Sequence, residues 1–239
     1  MLVTAIIPAR YDSTRLPGKA LADINGKPLI QHVCERVGMA ETVSRVVVAT
    51  DDKRIARTVK AFGGFSIMTS PDHACGTDRV AEAATTIDGD IILNVQGDEP
   101  LIEPDIIDGV VKRILDDDDI VCSTAASPIK NERDYTDPNA VKVVMDGSGR
   151  ALYFSRAPLP YRCDGGFGGA YLHAGLYCFR RRFLLRLATL PQTPLEKAEK
   201  LEQLRILENG FHIGVFVDSY RSIGVDTPED LERVRRIMS

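Results

Sequence analysis

The sequence predicts an α/β protein with a mostly parallel, doubly wound sheet in its first half and an irregular second half. Short apolar segments alternate with amphipathic segments of helical spacing from the first residue onward. The apolar segments carry apolar residues on both faces, which is typical of strands in a parallel sheet that helices cover on both sides. A chain of 239 residues is long enough to bury a core of this kind.

In the first half, segments with the sequence features of helices lie between the apolar strands. Pro28 suits a first helical turn, and Gly63-Gly64 ends the helix that begins near Asp52. The predicted strands are Leu2–Ile7, Arg45–Thr50, Phe65–Thr69, Asp90–Val95 and Ile120–Ala125. The predicted helices are Pro28–Val37, Asp52–Phe62, Thr77–Thr86 and Pro104–Leu115.

The second half combines a hairpin, a glycine-rich loop and further mixed elements. Asp146-Gly147-Ser148-Gly149 joins the apolar runs Val141–Met145 and Ala151–Ser155, and turn residues between such runs predict a β-hairpin. Thr227 and Pro228 open the final helix as its N-cap and first-turn proline. The other predictions are a loop over Tyr161–Ala170, strands over His173–Phe179 and Phe211–Val217, and helices over Arg182–Thr189 and Leu195–Leu207.

The bulk composition argues against several classes of protein. A net charge of −4 and a sequence pI near 5.6 argue against a nucleic-acid-binding surface, so local clusters of Arg and Lys must hold any anionic ligand. The five cysteines are scattered and form no C-x-x-C pair, which predicts reduced thiols in the cytoplasm. The N-terminal segment lacks the pattern of a secretory signal, and no run of 18 apolar residues predicts membrane insertion.

Basic residues follow the first predicted strand. Segment Pro8–Lys19 contains Arg10, Arg15 and Lys19 together with hydroxyl residues and Gly18. Arg and Lys bind phosphate oxygens, and ligands of open α/β sheets bind beyond the carboxyl ends of the strands. The segment matches neither a P-loop nor a dinucleotide-binding glycine turn. It is therefore either a phosphate-binding loop of another kind or a solvated basic loop.

Two further segments place carboxylates at the ends of predicted elements. Asp98 directly follows an apolar strand in Gln96-Gly97-Asp98-Glu99-Pro100, where it would bind Mg²⁺ or cap the next turn. Asp226 precedes the last helix, and a capping contact is the more common role there. The two carboxylates together would form a Mg²⁺ site, but sequence spacing does not establish that they meet.

Six segments, in order along nearly the whole chain, resemble a single enzyme family. They are I-P-A-R-Y-D-S-T-R-L-P-G-K (Ile7–Lys19), N-V-Q-G-D-E-P (Asn94–Pro100), P-N-A-V-K-V-V (Pro138–Val144), A-L-Y-F-S-R-A (Ala151–Ala157), L-E-Q-L-R-I-L (Leu201–Leu207) and G-V-D-T-P-E-D-L (Gly224–Leu231). Together they are similar to the 3-deoxy-manno-octulosonate cytidylyltransferases, also called CMP-Kdo synthetases.

The resemblance implies a single nucleotidyltransferase domain over residues 1–239. Residues 1–130 would mainly bind CTP, and residues 131–239 would mainly bind the sugar and form a homodimer. The implied reaction transfers CMP from CTP to the anomeric 2-hydroxyl of 3-deoxy-D-manno-octulosonate (Kdo) and releases pyrophosphate, for lipopolysaccharide biosynthesis. The implied cofactor is Mg²⁺, with Asp98 and Asp226 as its ligands, and Lys19 and Arg10 complete the implied catalytic group.

The resemblance also implies two sets of binding residues. The nucleotide set is Pro8, Arg10, Ser13, Thr14, Arg15, Lys19, Cys75, Gly76, Thr77 and Arg79. The sugar set is Gln96, Arg156, His173, Tyr177, Glu202 and Gln203. Within the sugar set, Arg156 is expected to bind the sugar carboxylate, because a guanidinium pairs with a carboxylate bidentately. Cys75 departs from the serine expected in this family, which would weaken a hydroxyl contact to the base or leave the contact to the backbone.

Residue type alone leaves other roles open for the sugar set. His173 suits a buried structural histidine as well as a ligand contact, and Tyr177, expected on the same strand face, suits simple packing. Glu202 and Gln203 suit a solvated helix face. His73 is assigned no catalytic role.

Other functions also remain as alternatives. The same reaction on 8-amino-Kdo is one, and a non-catalytic nucleotide-binding protein on this fold is another. Sialic acid activation is less favoured because it calls for a different first loop. A glycosyltransferase with Asp51-Asp52 as its metal motif is disfavoured by the basic loop, and a nicotinamide dehydrogenase by the lack of its glycine pattern.

Overall fold

Parallel strands form the sheet of the first structural unit, residues 1–108 and 223–239. The computed structural model describes residues 1–12, 15–73, 75–220 and 223–239 of the chain. In chain order the first unit contains β1 (Val3–Ala9), a 3-10 turn (Lys19–Leu21), β2 (Asp23–Ile24), β3 (Lys27–Pro28), α1 (Leu29–Val37), β4 (Arg45–Thr50), α2 (Lys53–Ala61), β5 (Ser66–Met68), α3 (Gly76–Thr85) and β6 (Ile91–Asn94). α4 (Pro104–Leu115) then leads into the second unit.

The sheet of the first unit has the strand order β6-β1-β4-β5. β1 is buried along most of its length and pairs in parallel with both β4 and β6. The register places Ile6 opposite Asn94, the last residue of β6, so the loop that leaves β6 starts beside the final residues of β1. A Cβ on Gly97 would lie 2.8 Å from the carbonyl oxygen of Pro8, so only glycine permits this close approach of the two loops.

The second unit, residues 109–220, carries a mixed sheet. Its elements are β7 (Ile120–Pro128), α5 (Glu132–Thr136), β8 (Lys142–Met145), β9 (Ala151–Ser155), β10 (Tyr171–Arg180), α6 (Arg181–Leu187), α7 (Pro194–Glu199), α8 (Leu204–Glu208) and β11 (His212–Val217). The strand order is β11-β7-β10-β8-β9, with β11 and β7 parallel and the other pairs antiparallel. α9 (Pro228–Ile237) belongs to the first unit and begins with Thr227 and Asp230 in a capping box.

The predicted fold class is confirmed, an α/β fold with a mostly parallel sheet and a hairpin in the second half. β4, α4 and β9 have the predicted bounds. A single domain that divides near residue 130 stays a prediction. Among the described residues, no helix combines the length and the apolar character that a membrane span requires.

One predicted helix, Leu195–Leu207, is wrong. Lys200 adopts a left-handed backbone conformation with φ of 54°, which ends α7, and α8 starts only at Leu204. Glu202 and Gln203 therefore lie in the turn between two short helices. Residue type alone left a solvated helix face open for both residues, but Gln203 is only 3% exposed, which excludes that alternative for Gln203.

Candidate active site

A cavity of about 230 Å³ lies in the first unit, where the loops after β1 and β6 meet the segment before α9. We call it the Lys19 cavity. Much of its lining comes from the predicted nucleotide and metal residues. The lining residues are Pro8, Ala9, Arg10, Arg15, Lys19, Ala20, His73, Cys75, Gly76, Arg79, Gln96, Gly97, Asp98 and Asp226.

Lys19 holds two carboxylates together in this cavity. Its ammonium nitrogen donates to Oδ2 of Asp98 at 2.5 Å and to Oδ1 of Asp226 at 3.0 Å. The backbone supports the arrangement, because the amide of Val225 donates to the carbonyl oxygen of Asp98 at 2.8 Å. The structure thus brings together Asp98 and Asp226, a relationship that the sequence left open.

The electrostatics of the cavity keep Lys19 charged. Burial lowers the pKa of Lys19, but the carboxylates of Asp98 and Asp226 outweigh burial and raise that pKa above its ordinary value. Arg15 adds a second cation, whose Nη2 lies 2.8 Å from Oδ2 of Asp226. The Arg15 side chain is 63% exposed, so solvent screens this pair and leaves the guanidinium able to reorient toward a ligand.

The two carboxylates provide a donor set that suits Mg²⁺. One oxygen of each carboxylate contacts the ammonium of Lys19, so the two oxygens face a common position that this cation occupies. Mg²⁺ in proteins binds to one or two carboxylates together with phosphate oxygens and waters. Among the residues that the structure describes, no group of three or more His, Cys, Asp or Glu side chains is arranged to hold a metal ion. The donor set therefore fits an ion that substrate oxygens help to coordinate, rather than a zinc site enclosed by protein ligands.

Part of the cavity wall is formed at the start of α3. Cys75 is the N-cap residue of this helix, and Gly76 begins it. Arg79, one turn later, is 4% exposed and donates to Thr69 Oγ1 at 2.6 Å and to Asp51 Oδ2 at 2.9 Å. Arg79 thus fixes the wall through these bonds. Asp51 is committed to Arg79, and Asp52 caps α2 and pairs with Arg54, so neither is arranged as a glycosyltransferase metal motif.

His73, for which the sequence predicts no catalytic role, also lines the Lys19 cavity. Its Nε2 forms a short hydrogen bond with Glu82 on α3. The bond from His73 lowers the pKa of Glu82. A signal was present in the sequence, because a histidine just before the start of a helix can reach a carboxylate on the second turn of that helix.

Other members of the nucleotide set lie elsewhere. Thr77 is 6% exposed, accepts a hydrogen bond from Asn94 Nδ2 at 3.2 Å, and is not among the residues that line the cavity. Ser13 and Thr14 lie outside the described residues. Their predicted phosphate contacts therefore stay predictions.

Arg156, in the second unit, is anchored by backbone oxygens. Its Nε donates to the carbonyl oxygen of Glu199 at 2.8 Å, and its Nη1 donates to that of Pro138 at 3.0 Å. These bonds fix the plane of the guanidinium, and Nη2 forms no hydrogen bond with the residues that the structure describes, which leaves it to a ligand. A half-buried guanidinium held in this way suits bidentate pairing with a carboxylate.

Lys142 donates a hydrogen bond to the backbone of Arg156, a contact that the sequence did not predict. Its side chain is fully buried, and Nζ donates to the carbonyl oxygens of Asp137, Ala140 and Arg156 at 2.9, 2.6 and 2.7 Å. Burial lowers its pKa, which the negative charges of Asp137 and Glu199 partly oppose. A lysine within the apolar run of β8 is the signal that could have found it, because a lysine is rarely buried without partners.

His173, Tyr177 and Phe154 form an aromatic cluster in the second unit. The ring of His173 lies 4.9 Å from that of Phe154 and 5.4 Å from that of Tyr177. Burial, reinforced by the charge of Glu202, raises the pKa of the Tyr177 hydroxyl, so it remains a hydrogen-bond donor. The structure thus places the ring of Tyr177 beside that of His173 and close enough to Glu202 to feel its charge.

Gln203 adds an observation that points to a ligand. Its side chain is 3% exposed, and its Nε2 has no hydrogen-bond partner among the described residues. A buried amide left in this way is unfavourable, and an oxygen of a bound ligand would satisfy it. Gln96, the remaining member of the sugar set, lies in the first unit and lines the Lys19 cavity.

Comparisons with known proteins show which family the chain resembles over nearly its full length. A family model described as Cytidylyltransferase matches residues 4–218. The 3-deoxy-manno-octulosonate cytidylyltransferase of Geobacter metallireducens is 57% identical over 245 aligned positions, which cover 98% of this chain and 96% of the relative. That of Geotalea uraniireducens is 56% identical, with 98% of each chain covered.

A solved structure gives the same result at the level of the fold. It is CMP:2-keto-3-deoxy-manno-octonic acid synthetase complexed with CTP, which aligns with a TM-score of 0.95 at 43% identity, over 100% of this chain and 98% of that one. Sequence and structure agree over essentially the full length, so the chain belongs to the cytidylyltransferase family and, within it, to the 3-deoxy-manno-octulosonate cytidylyltransferases.

Proposed function

We propose that the chain transfers CMP from CTP to the anomeric 2-hydroxyl of Kdo and releases pyrophosphate, as a step of lipopolysaccharide biosynthesis. The observation that carries the proposal is the meeting of Lys19, Asp98 and Asp226 in one cavity, which Arg10 and Arg15 also line. The relatives support the choice of substrates, since they are named for cytidylyl transfer to 3-deoxy-manno-octulosonate.

The cations of the Lys19 cavity would bind the triphosphate of CTP. The loop after β1 supplies positive charge through Lys19, Arg10 and Arg15. This loop lies at the carboxyl end of a parallel strand, where open α/β sheets bind their ligands. The cytosine would lie toward Cys75 and Gly76, where the start of α3 offers backbone N–H groups. Arg79 would keep this wall rigid through its bonds to Thr69 and Asp51.

Mg²⁺ is part of the proposal, with Asp98 and Asp226 as the residues that would hold it. When bound, Mg²⁺ would neutralise charge on the phosphate oxygens and stabilise the leaving pyrophosphate. The chain itself contributes the positive charge of the Lys19 ammonium, which lies in the same cavity as the two carboxylates. Such fixed charge stabilises a transition state that gains negative charge.

The second unit would bind Kdo. Arg156 would pair with the sugar carboxylate through its available edge, and Gln203 Nε2 would donate to a sugar oxygen. His173 and Tyr177 would form one wall of the pocket. In the reaction the 2-hydroxyl oxygen bonds to the α-phosphorus, the bond to the bridging oxygen breaks, pyrophosphate leaves, and the hydroxyl proton passes to solvent. Positioning supplies most of the remaining rate enhancement.

The proposal includes a homodimer in the cytoplasm. The homodimer follows from the family resemblance alone. The cytoplasmic location is supported by the five cysteines, which form no disulfide, with Cys122 and Cys178 fully buried as thiols.

The test is pyrophosphate release from purified protein with CTP and Mg²⁺, comparing Kdo, 8-amino-Kdo, sialic acid and no sugar, with ATP and UTP in place of CTP as controls. We expect release that requires both CTP and Kdo. Release with the amino sugar alone would keep the mechanism and change the substrate. CTP binding without turnover of any sugar would refute the enzymatic proposal in favour of a non-catalytic nucleotide-binding protein.

A further inference from the structure

Strand β10 contains a β-bulge beside the sugar set. In its pairing with β7, Ala174 lies opposite Ala125 while Tyr177 lies opposite Thr124, so two residues are inserted into β10 at this step. Bulges of this kind redirect side chains and are common next to functional sites. Here the bulge separates His173 from Tyr177 in sequence but leaves their rings 5.4 Å apart.

The hydroxyl of Thr124 bridges the bulge. Oγ1 of this buried side chain lies 2.7 Å from the carbonyl oxygen of Leu176 and 3.1 Å from that of Ala174. The same oxygen lies 2.9 Å from Nε2 of His173. One hydroxyl group therefore lies within hydrogen-bonding distance of two carbonyl oxygens of the bulge and of a nitrogen of the imidazole ring.

The number of protons decides the direction of these hydrogen bonds. A threonine hydroxyl has one proton, and carbonyl oxygens only accept. The proton therefore points to the carbonyls of Leu176 and Ala174, since an oxygen–oxygen distance of 2.7 Å without a proton between the atoms would be repulsive. Oγ1 then accepts from His173, so Nε2 carries the imidazole proton.

The ring of His173 remains neutral in this environment. Burial lowers its pKa to about 3, so a second proton is absent at neutral pH. A neutral imidazole with its proton on Nε2 has a lone pair on Nδ1. The contacts with Phe154 and Tyr177 hold the ring plane and thus the direction of that lone pair.

We propose that Thr124 is a positioning residue that fixes His173 as the Nε2–H tautomer, so that Nδ1 accepts a hydrogen bond from a hydroxyl group of the sugar acid. This inference rests on the proposed function, in which His173 belongs to the sugar pocket. It identifies the type of group that His173 recognises, because a lone pair on Nδ1 attracts a hydroxyl donor and repels a carboxylate oxygen.

Three substitutions separate this role from a structural one. Thr124→Val keeps the branched shape and removes the hydroxyl, whereas Thr124→Ser keeps the hydroxyl. Ser123→Ala is the matched control, because Ser123 is equally buried in the same strand and donates to the carbonyl oxygen of Val110 at 2.7 Å. The control removes a comparable buried hydrogen bond without touching His173.

Two measurements are made on the full chain. Long-range ¹H–¹⁵N correlation spectra report which ring nitrogen is protonated, with His173 assigned from the spectrum of His173→Gln. Steady-state kinetics give KM for Kdo and KM for CTP separately. We expect a protonated Nε2 and an unprotonated Nδ1 in the wild type, in Thr124→Ser and in Ser123→Ala. In Thr124→Val we expect a mixture of tautomers and a KM for Kdo raised about 3- to 10-fold, the effect of one hydrogen bond, with KM for CTP unchanged.

A proton on Nδ1 of His173 in the wild type would overturn the proposal, as would an unchanged tautomer in Thr124→Val. A changed tautomer with an unchanged KM for Kdo would also overturn it. These results differ from failure of the proposed function, which would show as no Kdo-dependent pyrophosphate release from the wild type. The spectrum of the wild type reports the tautomer even where Thr124→Val does not fold.

Discussion

The ammonium nitrogen of Lys19 lies 2.5 Å from Oδ2 of Asp98, although 79 positions of the chain separate the two residues. The same ammonium reaches Asp226 at 3.0 Å, so one cation holds two carboxylates that would otherwise repel each other. A cation is therefore needed at this point, whether the ammonium or a metal ion. This requirement links the loops after β1 and β6 to the segment before α9.

The first prediction concerns the two carboxylates. Asp98→Asn and Asp226→Asn keep the shape of each side chain and remove the charge that a metal ion requires. Because metal-ion stabilisation contributes several kcal/mol to such reactions, we expect turnover to fall at least about 100-fold in each variant. Pyrophosphate release with CTP, Kdo and Mg²⁺ measures it, and a chelator should abolish release by the wild type.

Glu229→Gln is the matched control for these variants. It removes the same charge from an exposed side chain in the first turn of α9, three residues after Asp226 and not among the residues that line the cavity. Its turnover should equal that of the wild type, and circular dichroism should show all three variants folded. Near-normal activity of folded Asp98→Asn or Asp226→Asn would contradict the metal assignment.

The second prediction concerns Arg156. Arg156→Lys retains the charge but loses the planar guanidinium. Only the guanidinium can donate to two backbone oxygens and still offer N–H groups to a carboxylate. We expect KM for Kdo to rise about tenfold or more, the effect of a lost charge-assisted hydrogen bond, while KM for CTP stays unchanged. Steady-state kinetics with each substrate varied in turn provide the measurement.

Arg162→Lys, in the glycine-rich loop, controls for the loss of a guanidinium as such, since Arg162 pairs with Asp164 at the surface. Its KM for Kdo should match the wild type. A rise in KM for both substrates in Arg156→Lys would instead indicate a general loss of structure, and equal values in all three proteins would remove Arg156 from the sugar set.

Local patterns predicted most of the fold. β4 and α4 have their predicted bounds because apolar periodicity and end signals coincide there. The prediction of one helix over Leu195–Leu207 failed because Lys200 adopts a left-handed backbone conformation. This position holds neither glycine nor asparagine, the residues that usually indicate such a conformation in a sequence. The helix α5 and the β2–β3 hairpin were not predicted, since both are too short to show a period.

The grouping of residues around the Lys19 cavity was more predictable from the sequence than the contacts that support Arg156 and His173. Arg10, Arg15 and Lys19 belong to one loop after one strand, so a general rule for α/β sheets places them at the ligand edge. The contact of Lys142 with the carbonyl oxygen of Arg156 and that of Thr124 with His173 join residues from different elements. Such contacts depend on tertiary packing and on a bulge, neither of which a periodic pattern specifies.

The third prediction concerns the buried ammonium of Lys142. Lys142→Met fills a similar volume but leaves the carbonyl oxygens of Asp137, Ala140 and Arg156 without this donor. Because a hydrogen bond to a charged group contributes about 1.5–3 kcal/mol and these acceptors are only partly buried, we expect the free energy of unfolding to fall by about 2 kcal/mol or more. Urea unfolding measures it, and KM for Kdo should rise because Arg156 loses its support.

Lys130→Met provides the comparison, since it removes the same charge from an exposed position close in sequence. Its unfolding free energy should stay within about 0.5 kcal/mol of the wild type. An equally small effect of Lys142→Met would show that the three carbonyl oxygens find other donors, and Lys142 would then lose its assigned role.

The fourth prediction concerns the pH dependence of stability. Burial lowers the pKa of His173 to about 3 in the folded protein, whereas an unfolded histidine titrates near its ordinary value of about 6.5. Between these two values the unfolded chain binds a proton that the folded protein excludes. Stability therefore falls as the pH decreases through this window, by at most about 1.4 kcal/mol per pH unit from this residue.

Urea unfolding of the wild type and of His173→Gln at several pH values between these limits measures the contribution of His173. The wild-type curve should be steeper, because the variant has no imidazole to protonate in the unfolded chain, while other groups contribute equally to both. His212→Gln, at an exposed position on β11, should keep the wild-type slope. Parallel curves for the wild type and His173→Gln would mean that the folded protein accepts the proton on His173, and the neutral ring that Thr124 is proposed to orient would then be excluded.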